Sequence, residues 1–266
     1  MKPASIKETV KEKYSLIARK NSHSQGCCGP SSCCGELEFS MIGDEYLHIE
    51  GYVQDADLGL GCGLPTEFSG IKRGDDVLDL GSGAGNDCFI AQRLTGMEGS
   101  VTGIDFSEDM LKKANLNLEK TGFKNIKFIQ GDIEELPLPS SAFDVVISNC
   151  VLNLVPDKMK AFSEIYRVLR QKGHFCISDV VLSGNLPSGL KEAAEMYAGC
   201  VSGAMPKDDY LKIIKKQGFK NIIIRKEKPV IIPDDVLSSY LSDQEKITFK
   251  NSGTGIFSIT VTAEKN

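Results

Sequence analysis

A glycine-rich loop that follows a carboxylate is the first segment of this chain with evident chemical potential. The loop supplies Gly81, Ser82, Gly83 and Gly85. Glycines let the backbone turn tightly and let a ligand lie against main-chain atoms, and dinucleotide-binding enzymes use such loops for phosphates. Asp79 lies two residues before Gly81, where its negative charge would repel a phosphate. The pattern therefore favours a ligand that carries positive charge.

Three more polar side chains come directly after predicted strands, namely Asp105, Asp132 and Asn149. Ligands of open α/β sheets bind at the carboxyl ends of the strands, so these residues are predicted to line one site. Asp105 can accept hydrogen bonds from both hydroxyls of a ribose. Asp132 can receive an adenine amino group, and Ile133 can pack on the adenine ring. S-adenosylmethionine has a ribose, an adenine, an ammonium and a sulfonium but no phosphate, so we predict it as the ligand.

Sulfur is the second notable chemistry, because the chain has nine cysteines. Cys62 lies in a glycine-rich segment before the first strand, Cys150 ends the fourth strand, and Cys200 lies in the region after the fifth. The predicted fold could bring these three over one pocket that faces the methyl group of the cofactor. Three thiolates suit a thiophilic centre such as trivalent arsenic, which keeps a lone pair directed away from the sulfurs. Cys88 and Cys176 are predicted instead to be buried in the core.

Four further cysteines form two adjacent pairs within residues 21–36, a segment whose Ser, Gly and Pro content predicts a loop. They are Cys27, Cys28, Cys33 and Cys34. Arsenic capture, tetrahedral zinc binding and a structural or disordered role are the alternatives for these thiols. Adjacent cysteines chelate one small ion awkwardly, and the two-residue gap that is usual in zinc sites is missing.

An alternation of strands and helices begins near residue 70 and indicates the elements that must hold these side chains. Strands are predicted at 76–80, 100–104, 126–130, 143–148 and 173–179, with two antiparallel edge strands at 220–228 and 256–263. Helices are predicted at 5–20, 88–93, 108–121, 158–169, 190–201 and 207–217. Consecutive βαβ units imply parallel strands and right-handed crossovers. We therefore predict an α/β fold with a doubly wound, mostly parallel, seven-stranded sheet.

Three parts make up the predicted organisation of the chain. Residues 1–69 form an N-terminal helix and a cysteine-rich arm, residues 70–180 form the cofactor-binding core, and residues 181–266 form a helical cap plus the edge strands. The cap is predicted to cover the arsenic that accepts the methyl group of the cofactor.

Composition excludes several classes of partner. The net charge is −5, and no dense stripe of Lys and Arg is present to neutralise phosphates, which argues against nucleic-acid binding. No apolar run approaches the roughly 20 residues of a membrane span, and the N-terminus lacks the apolar segment of a signal peptide. We expect a cytoplasmic protein that binds no membrane. Structural disulfides are rare in such a reducing compartment.

The ordered set of strand-end residues resembles the class I methyltransferase family over residues 70–180. The edge strands extend this resemblance to the C-terminus. It implies that Asp79, Gly81 and Gly83 bind the methionine part of S-adenosylmethionine and that Asp105 binds the ribose. It also implies adenine contacts from Met110, Asp132 and Ile133. Asn149 would lie near the methionine moiety.

Several segments more closely resemble the arsenite methyltransferases. They are Gly51–Val53, Leu58–Pro65, Ser148–Leu154 and Ala198–Ala204. The resemblance implies methylation of arsenite and methylarsenite, with arsenic held by Cys150 and Cys200. Cys62 would complete the site or close a disulfide with Cys150 during turnover, and thioredoxin or glutathione would reduce it. The N-terminal cysteine pairs would capture or deliver arsenic, and we expect this chain to lack an extra C-terminal domain found in longer members.

Three other functions compete with this interpretation. A quinone-type small-molecule methyltransferase would explain the fold but would leave Cys62, Cys150 and Cys200 without a role. A thiol-rich metalloid-binding protein would have no use for a cofactor site. A nicotinamide oxidoreductase is disfavoured by the charge of Asp79.

Overall fold

A computed structural model describes residues 3–19, 46, 48–184, 186–187, 203–231, 234–238 and 240–266. The helices are α1 (Pro3–Arg19), α2 (Pro65–Phe68), α3 (Asn86–Thr95), α4 (Glu108–Thr121), α5 (Lys158–Val168), α6 (Lys207–Lys216), α7 (Asp234–Ser238) and α8 (Asp243–Asn251). The strands are β1 (Asp76–Leu80), β2 (Ser100–Asp105), β3 (Ile126–Gln130), β4 (Phe143–Asn149), β5 (Leu169–Ser183), β6 (Lys220–Pro229) and β7 (Gly255–Glu264). Short 3₁₀ turns cover Gln54–Ala56 and Leu152–Leu154.

The seven strands form one sheet in the order β3-β2-β1-β4-β5-β7-β6. The first five pair in parallel, and β7 lies antiparallel between β5 and β6. The predicted α/β fold with a mostly parallel sheet and two antiparallel edge strands is therefore confirmed. The inner strands are buried on both faces, which explains the buried apolar residues Val77, Leu78 and Leu80 of β1 and the apolar run 145–147 of β4.

Local capping residues fix the helices that flank the sheet. The side chain of Ser107 accepts a hydrogen bond from the backbone N–H of Met110 at the start of α4, and Gly122 ends that helix in the left-handed conformation. The side chain of Asp157 accepts from the N–H of Lys160 and begins α5 in the same way. These caps place both helices against the sheet, where apolar side chains cover its two faces.

The predicted boundaries differ from the observed ones mainly in the second half of the chain. Strand β5 runs to Ser183, four residues beyond the predicted end, because it pairs with β7 along its whole outer half. Helices α7 and α8 were not predicted, and the helix predicted at 190–201 lies outside the described residues. The N-terminal helix is present and packs against α4. The three-part organisation of the chain stays a prediction.

The helices that flank the sheet are amphipathic and pack against it through their apolar side chains. Within the described part of the chain, no helix combines the length and the apolar character needed to cross a membrane.

Candidate functional site

One cavity lies at the carboxyl ends of β1, β2, β3 and β4. The strand register explains its position, because Leu80 pairs with both Ile104 and Ser148, so that the loops after these strands leave the sheet at one edge. Nine of the predicted cofactor residues line this cavity; they are Asp79, Gly81, Ser82, Gly83, Asp105, Met110, Asp132, Ile133 and Asn149. Met110 is also buried. Gly85 does not line it, because it lies at the start of α3 beside Phe89 and Phe128.

Three carboxylates gather on one wall of the cavity. Asp79, Asp87 and Asp105 are each at most 9% exposed. Burial, followed by repulsion from Asp87, raises the pKa of Asp79 well above its usual value. Burial also raises the pKa of Asp87 to about 6 and raises the pKa of Asp105, although hydrogen bonds to both groups oppose the shift. A cation in this cavity would relieve the cost of these buried charges.

Asp105 and the glycine loop are held together by a backbone hydrogen bond. The N–H of Gly83 donates to Asp105 Oδ2 over 3.0 Å, and the N–H of Ser107 donates to Oδ1 over 2.8 Å. Gly83 has a φ of 51° and has no protein atom within 4 Å of the place where a Cβ would stand. The hydroxyl of Ser82 is buried without a hydrogen-bond partner among the described residues. The loop therefore offers open main-chain surface and one spare polar group to a ligand.

The N-terminal helix α1 closes the opposite side of the cavity. Val10 and Tyr14 line it, and the ammonium of Lys7 lies 2.6 Å from Asp132 Oδ2 and also pairs with Glu134. Asp132, predicted to receive adenine, thus already has a cationic partner. No signal near residue 7 could reveal this contact, because it depends on how α1 docks.

Asn149 connects the cofactor cavity to the segment that carries Cys62. Its Oδ1 accepts from the backbone N–H of Cys62 over 3.0 Å and from that of Gly63 over 3.3 Å. Its Nδ2 donates to the hydroxyl of Tyr46 and to Asp87 Oδ2. The side chain predicted to lie near the methionine moiety therefore also fixes the position of a thiol. Tyr46 and Asp87 were missed as site residues, although Asp87 lies only two residues after Gly85 of the glycine-rich loop.

Cys62 and Cys150 lie together beside this cavity. Their sulfur atoms and a carboxylate oxygen of Asp179 all lie within 4.8 Å of one another. The three residues are at most 2% exposed. Cys150 lines the cavity together with the strand-end acids, and Cys62 is buried beside it.

Strand register and one unusual backbone conformation explain this meeting. Asn149 pairs with Ser178 across β4 and β5, so the next residues, Cys150 and Asp179, are neighbours. Cys150 has a φ of 60° and donates its N–H to the carbonyl of Ser178. A left-handed conformation is costly for a residue other than glycine, and such strain is often found at functional sites. It turns the chain out of β4 at this point.

The Cys62 segment reaches the same place from the other side of the sheet edge. The hydroxyl of Ser258 on β7 donates to the carbonyl of Cys62. Gly63 lies so close to β5 that a Cβ there would stand 2.4 Å from Ser178 Oγ. A glycine is required at this position, because any side chain would push Cys62 away from the sheet.

Asp179 is a site residue that the sequence interpretation missed. Burial raises its pKa to about 7, although the charge of Lys158 and several hydrogen bonds oppose the shift. The hydroxyl of Tyr210 donates to Asp179 Oδ2 over 3.1 Å. Burial and the nearby Asp179 in turn raise the pKa of Tyr210 well above its usual value. The sequence feature that could have revealed this residue is a single acid within the largely apolar segment Phe175–Leu182.

The remaining cysteines divide into two groups. Cys88 and Cys176 are buried in the core, as predicted. The thiol of Cys88 also donates to Asp79 over 3.2 Å, and burial raises the pKa of Cys176 to about 12. Cys200 and the N-terminal pairs Cys27, Cys28, Cys33 and Cys34 lie outside the described residues.

The residues present fit S-adenosylmethionine. A buried group of acids suits its ammonium and sulfonium, and the open backbone at Gly83 suits close approach of its amino-acid part. The apolar side chains of Met110 and Ile133 suit an adenine ring. Among the described residues, Lys7 is the one lysine or arginine that lines the cavity, so this lining offers no dense set of cations to neutralise a pyrophosphate.

Comparisons with known proteins agree on the family and the fold. A family model described as a methyltransferase domain matches residues 71–218. An arsenite methyltransferase of Halobacterium salinarum is 36% identical over 99% of this chain and 67% of its own length. Another, from Aquipseudomonas alcaligenes, is 33% identical over 89% of this chain and 68% of its own length.

A solved structure extends the comparison to three dimensions. It is the crystal structure of an arsenic(III) S-adenosylmethionine methyltransferase from Chlamydomonas reinhardtii, which superposes with a TM-score of 0.64 and 35% sequence identity. The match covers 76% of this chain and 66% of that one. The chain thus spans about two thirds of the length of these relatives.

Proposed function

The chain belongs to the arsenite methyltransferase family, and we propose that it transfers a methyl group from S-adenosylmethionine to trivalent arsenic bound by thiolates. The observation that carries this proposal is the approach of Cys62 to Cys150, because Cys150 lines the same cavity as the strand-end acids. The two thiols can hold a soft methyl acceptor such as trivalent arsenic. The adjacent acids can hold the positively charged methyl donor.

Arsenic binding proceeds by condensation with the thiols. Each S–H proton leaves with one hydroxyl of arsenous acid as water, and an As–S bond replaces an As–O bond. Deprotonation of the buried thiols in advance is unnecessary, because the soft electrophile displaces the proton. We propose that Cys62, Cys150 and Cys200 are the three sulfur ligands.

Methyl transfer then depends on orientation more than on proton transfer. The bound cofactor supplies an electrophilic methyl group on a sulfonium. Asp79 and Asp87 would hold the positively charged end of that molecule and Asp105 its ribose, and Asn149 fixes the Cys62 segment relative to Asp87. Trivalent arsenic keeps its lone pair, so no side chain must act as a general base on the acceptor.

Apolar side chains surround the two thiols and exclude water. Val180, Leu237, Leu241 and Ile256 pack in one cluster with Cys62 and Cys150. A dry site strengthens the effect of fixed charges and limits hydrolysis of bound arsenic. It also explains why the acceptor is held by sulfur and not by solvated polar groups.

Turnover needs a thiol reductant in this proposal. Transfer of a methyl cation to trivalent arsenic raises its oxidation state by two, and two thiolates can return those electrons by forming a disulfide. The sulfurs of Cys62 and Cys150 lie within 4.8 Å of each other, and a disulfide forms when they approach to about 2.05 Å. Glutathione or thioredoxin would then reduce the disulfide, and the N-terminal cysteine pairs would deliver the next arsenic.

One assay tests this function. The protein is incubated with arsenite, S-adenosylmethionine and glutathione, and the arsenic species are separated and quantified. Methylated arsenicals are expected, and Cys150→Ser and Cys200→Ser should each abolish them. Cys176→Ala is the matched control, because that thiol is buried in β5 away from the cavity, and it should keep the activity. Normal cofactor binding without any methylated arsenic would refute the proposal.

A quinone-type methyltransferase remains the alternative from the same fold. It would use the cofactor wall but would leave the buried pair of thiols unexplained. Methylation of a quinone by both the wild-type protein and Cys150→Ser would favour that alternative.

A further inference from the structure

Asp179 occupies an unexpected place for a carboxyl group. It lies in the middle of β5 with no exposed surface, and its oxygen is within 4.8 Å of the sulfurs of Cys62 and Cys150. The pairing of β5 with β7 continues past it without interruption, so the sheet does not require an acid there. Burying a carboxyl group costs free energy unless hydrogen-bond partners compensate for the lost contacts with water.

Three protein groups donate hydrogen bonds to this carboxyl group. The hydroxyl of Tyr210 binds Oδ2, the N–H of Val180 binds Oδ1, and the backbone N–H of Asn153 also donates. An ionised carboxyl group has about four acceptor positions, so one more donor can be accommodated. The ammonium of Lys158 donates to the carbonyls of Asn153 and Val155 instead. No salt bridge joins Asp179 to a lysine or arginine among the residues described.

The chemistry of arsenous acid supplies a suitable fourth donor. Arsenous acid has three hydroxyls, and condensation with two thiols releases two waters and leaves one As–OH. A bond between a soft ion and a thiolate is about 2.3 Å long, as for zinc, so the pyramidal geometry of trivalent arsenic places two bound sulfurs about 3.5 Å apart. The sulfurs of Cys62 and Cys150 lie within 4.8 Å of each other, so they must approach by no more than about 1.3 Å to hold one arsenic. The remaining hydroxyl would be beside Asp179.

We propose that Asp179 is part of the arsenic-binding site and hydrogen-bonds the hydroxyl that arsenic keeps while Cys62 and Cys150 hold it. The hydrogen bond forms in either protonation state, because a carboxylate accepts from the hydroxyl and a carboxylic acid donates to its oxygen. This inference rests on the proposed function and deepens it by assigning a residue that selects the substrate.

Selection follows from the number of hydroxyls on each substrate. Methylarsenite has two hydroxyls and loses both when two thiolates bind it, so it presents no As–OH to Asp179. Asp179 therefore favours inorganic arsenite over methylarsenite in the two-thiolate state. When a third thiol such as Cys200 arrives, its proton leaves with the last hydroxyl as water and Asp179 releases the arsenic.

The experiment compares the binding of both substrates in a two-thiolate background. The full-length chain carries Cys200→Ser and serine at Cys27, Cys28, Cys33 and Cys34, so that bound arsenic reports on Cys62 and Cys150. Equilibrium dialysis with elemental detection measures the affinity for arsenite and for methylarsenite, without cofactor. Asp179→Ala should weaken arsenite binding about tenfold, as for a lost hydrogen bond to a charged group, and should change methylarsenite binding less than about threefold.

Asp179→Asn is the second variant, because alanine leaves three buried donors without a partner and could prevent folding. Asparagine keeps the shape and one acceptor oxygen, so its ratio of arsenite to methylarsenite affinity should fall between those of the parent and alanine. Equal weakening for both substrates, or no change for either in a folded variant, would overturn the inference. Tyr210→Phe is the matched control, because it removes a donor to Asp179 but keeps the carboxyl group, and it should preserve the ratio.

Failure of the proposed function gives a different result. In that case the wild-type protein forms no methylated arsenic, whereas failure of the inference about Asp179 leaves that methylation intact and leaves the ratio of arsenite to methylarsenite affinity unchanged in the Asp179 variants.

Discussion

The acids of the cofactor wall and the pair of thiols are assembled from the chain in different ways. Asp79 and Asp105 lie in or at the ends of neighbouring parallel strands, and each reaches the cavity through its own strand and loop. The thiols come from a segment before β1 and from the end of β4, and they meet beside an acid in β5. Buried carboxyl groups define the first region, whereas buried thiols and apolar side chains define the second.

This difference suggests that the two binding functions can be separated by substitution, with one exception. Asn149 is hydrogen-bonded to both sides, since it holds the Cys62 backbone through its oxygen and Asp87 through its nitrogen. Changes on the cofactor wall should spare arsenic binding, changes at the thiols should spare cofactor binding, and changes at Asn149 should affect both.

The largest effect is expected from Asp79→Asn. The substitution removes a buried negative charge from the wall that faces the cofactor, so the affinity for S-adenosylmethionine should fall about 100-fold, or about 2.7 kcal/mol. Arsenite affinity should stay within about twofold. Isothermal titration calorimetry measures the first quantity and equilibrium dialysis the second. A parallel loss of arsenite affinity would contradict the separation of the two regions.

The same variant should be at least as stable as the wild type when no cofactor is bound. Burial raises the pKa of Asp79, so the charged form opposes folding, and this penalty grows as pH rises above the unfolded value of 3.8. A neutral amide avoids it. At about pH 8 the melting temperature of Asp79→Asn should therefore be equal to or higher than that of the wild type. At about pH 4 the difference between the two melting temperatures should be smaller.

Asn149→Ala tests the exception. It removes the acceptor for two backbone N–H groups and the donor to Asp87 at a mostly buried position. The free energy of unfolding should fall by about 2 kcal/mol, and the affinities for cofactor and arsenite should both fall by about tenfold. Measuring all three on the same preparation is the check. Selective loss of only one affinity would assign Asn149 to that region alone.

The cofactor wall should also respond to pH where Asp87 titrates. The pKa of Asp87 is about 6, and a cationic ligand binds its ionised form more tightly. Affinity for S-adenosylmethionine should therefore rise with pH through this range, by up to about tenfold per unit, and fall as the carboxylate is protonated. Calorimetry between about pH 5 and about pH 8 measures the slope. Asp87→Asn should flatten it near pH 6, and an unchanged slope would argue against this residue as its source.

Sequence patterns could predict the cofactor wall more completely than the thiol site, for a physical reason. Asp105 and Asn149 follow strands whose ends meet at one edge, so local patterns sufficed to place them together. Cys62 and Cys150 were identified by their chemistry. Asp179 was missed because the predicted strand ended at this residue, where an acid attracts no notice. In the structure, pairing with β7 extends β5 to Ser183, so Asp179 lies inside the strand.

The smallest effect is expected from Lys7→Ala, which tests how far the cofactor wall depends on α1. The ammonium of Lys7 pairs with Asp132 and Glu134, but its side chain is 34% exposed. Partly exposed ion pairs contribute about 0–1 kcal/mol, so the melting temperature should fall only slightly. Removing the cation frees Asp132 for the adenine amino group, and cofactor affinity should change less than about threefold. Arg19→Ala is the matched control, because Arg19 pairs with Asp109 on α4 and leaves Asp132 untouched. If Lys7→Ala abolished cofactor binding while Arg19→Ala did not, Lys7 itself would belong to the cofactor site, and the charged wall would extend across the cavity to α1.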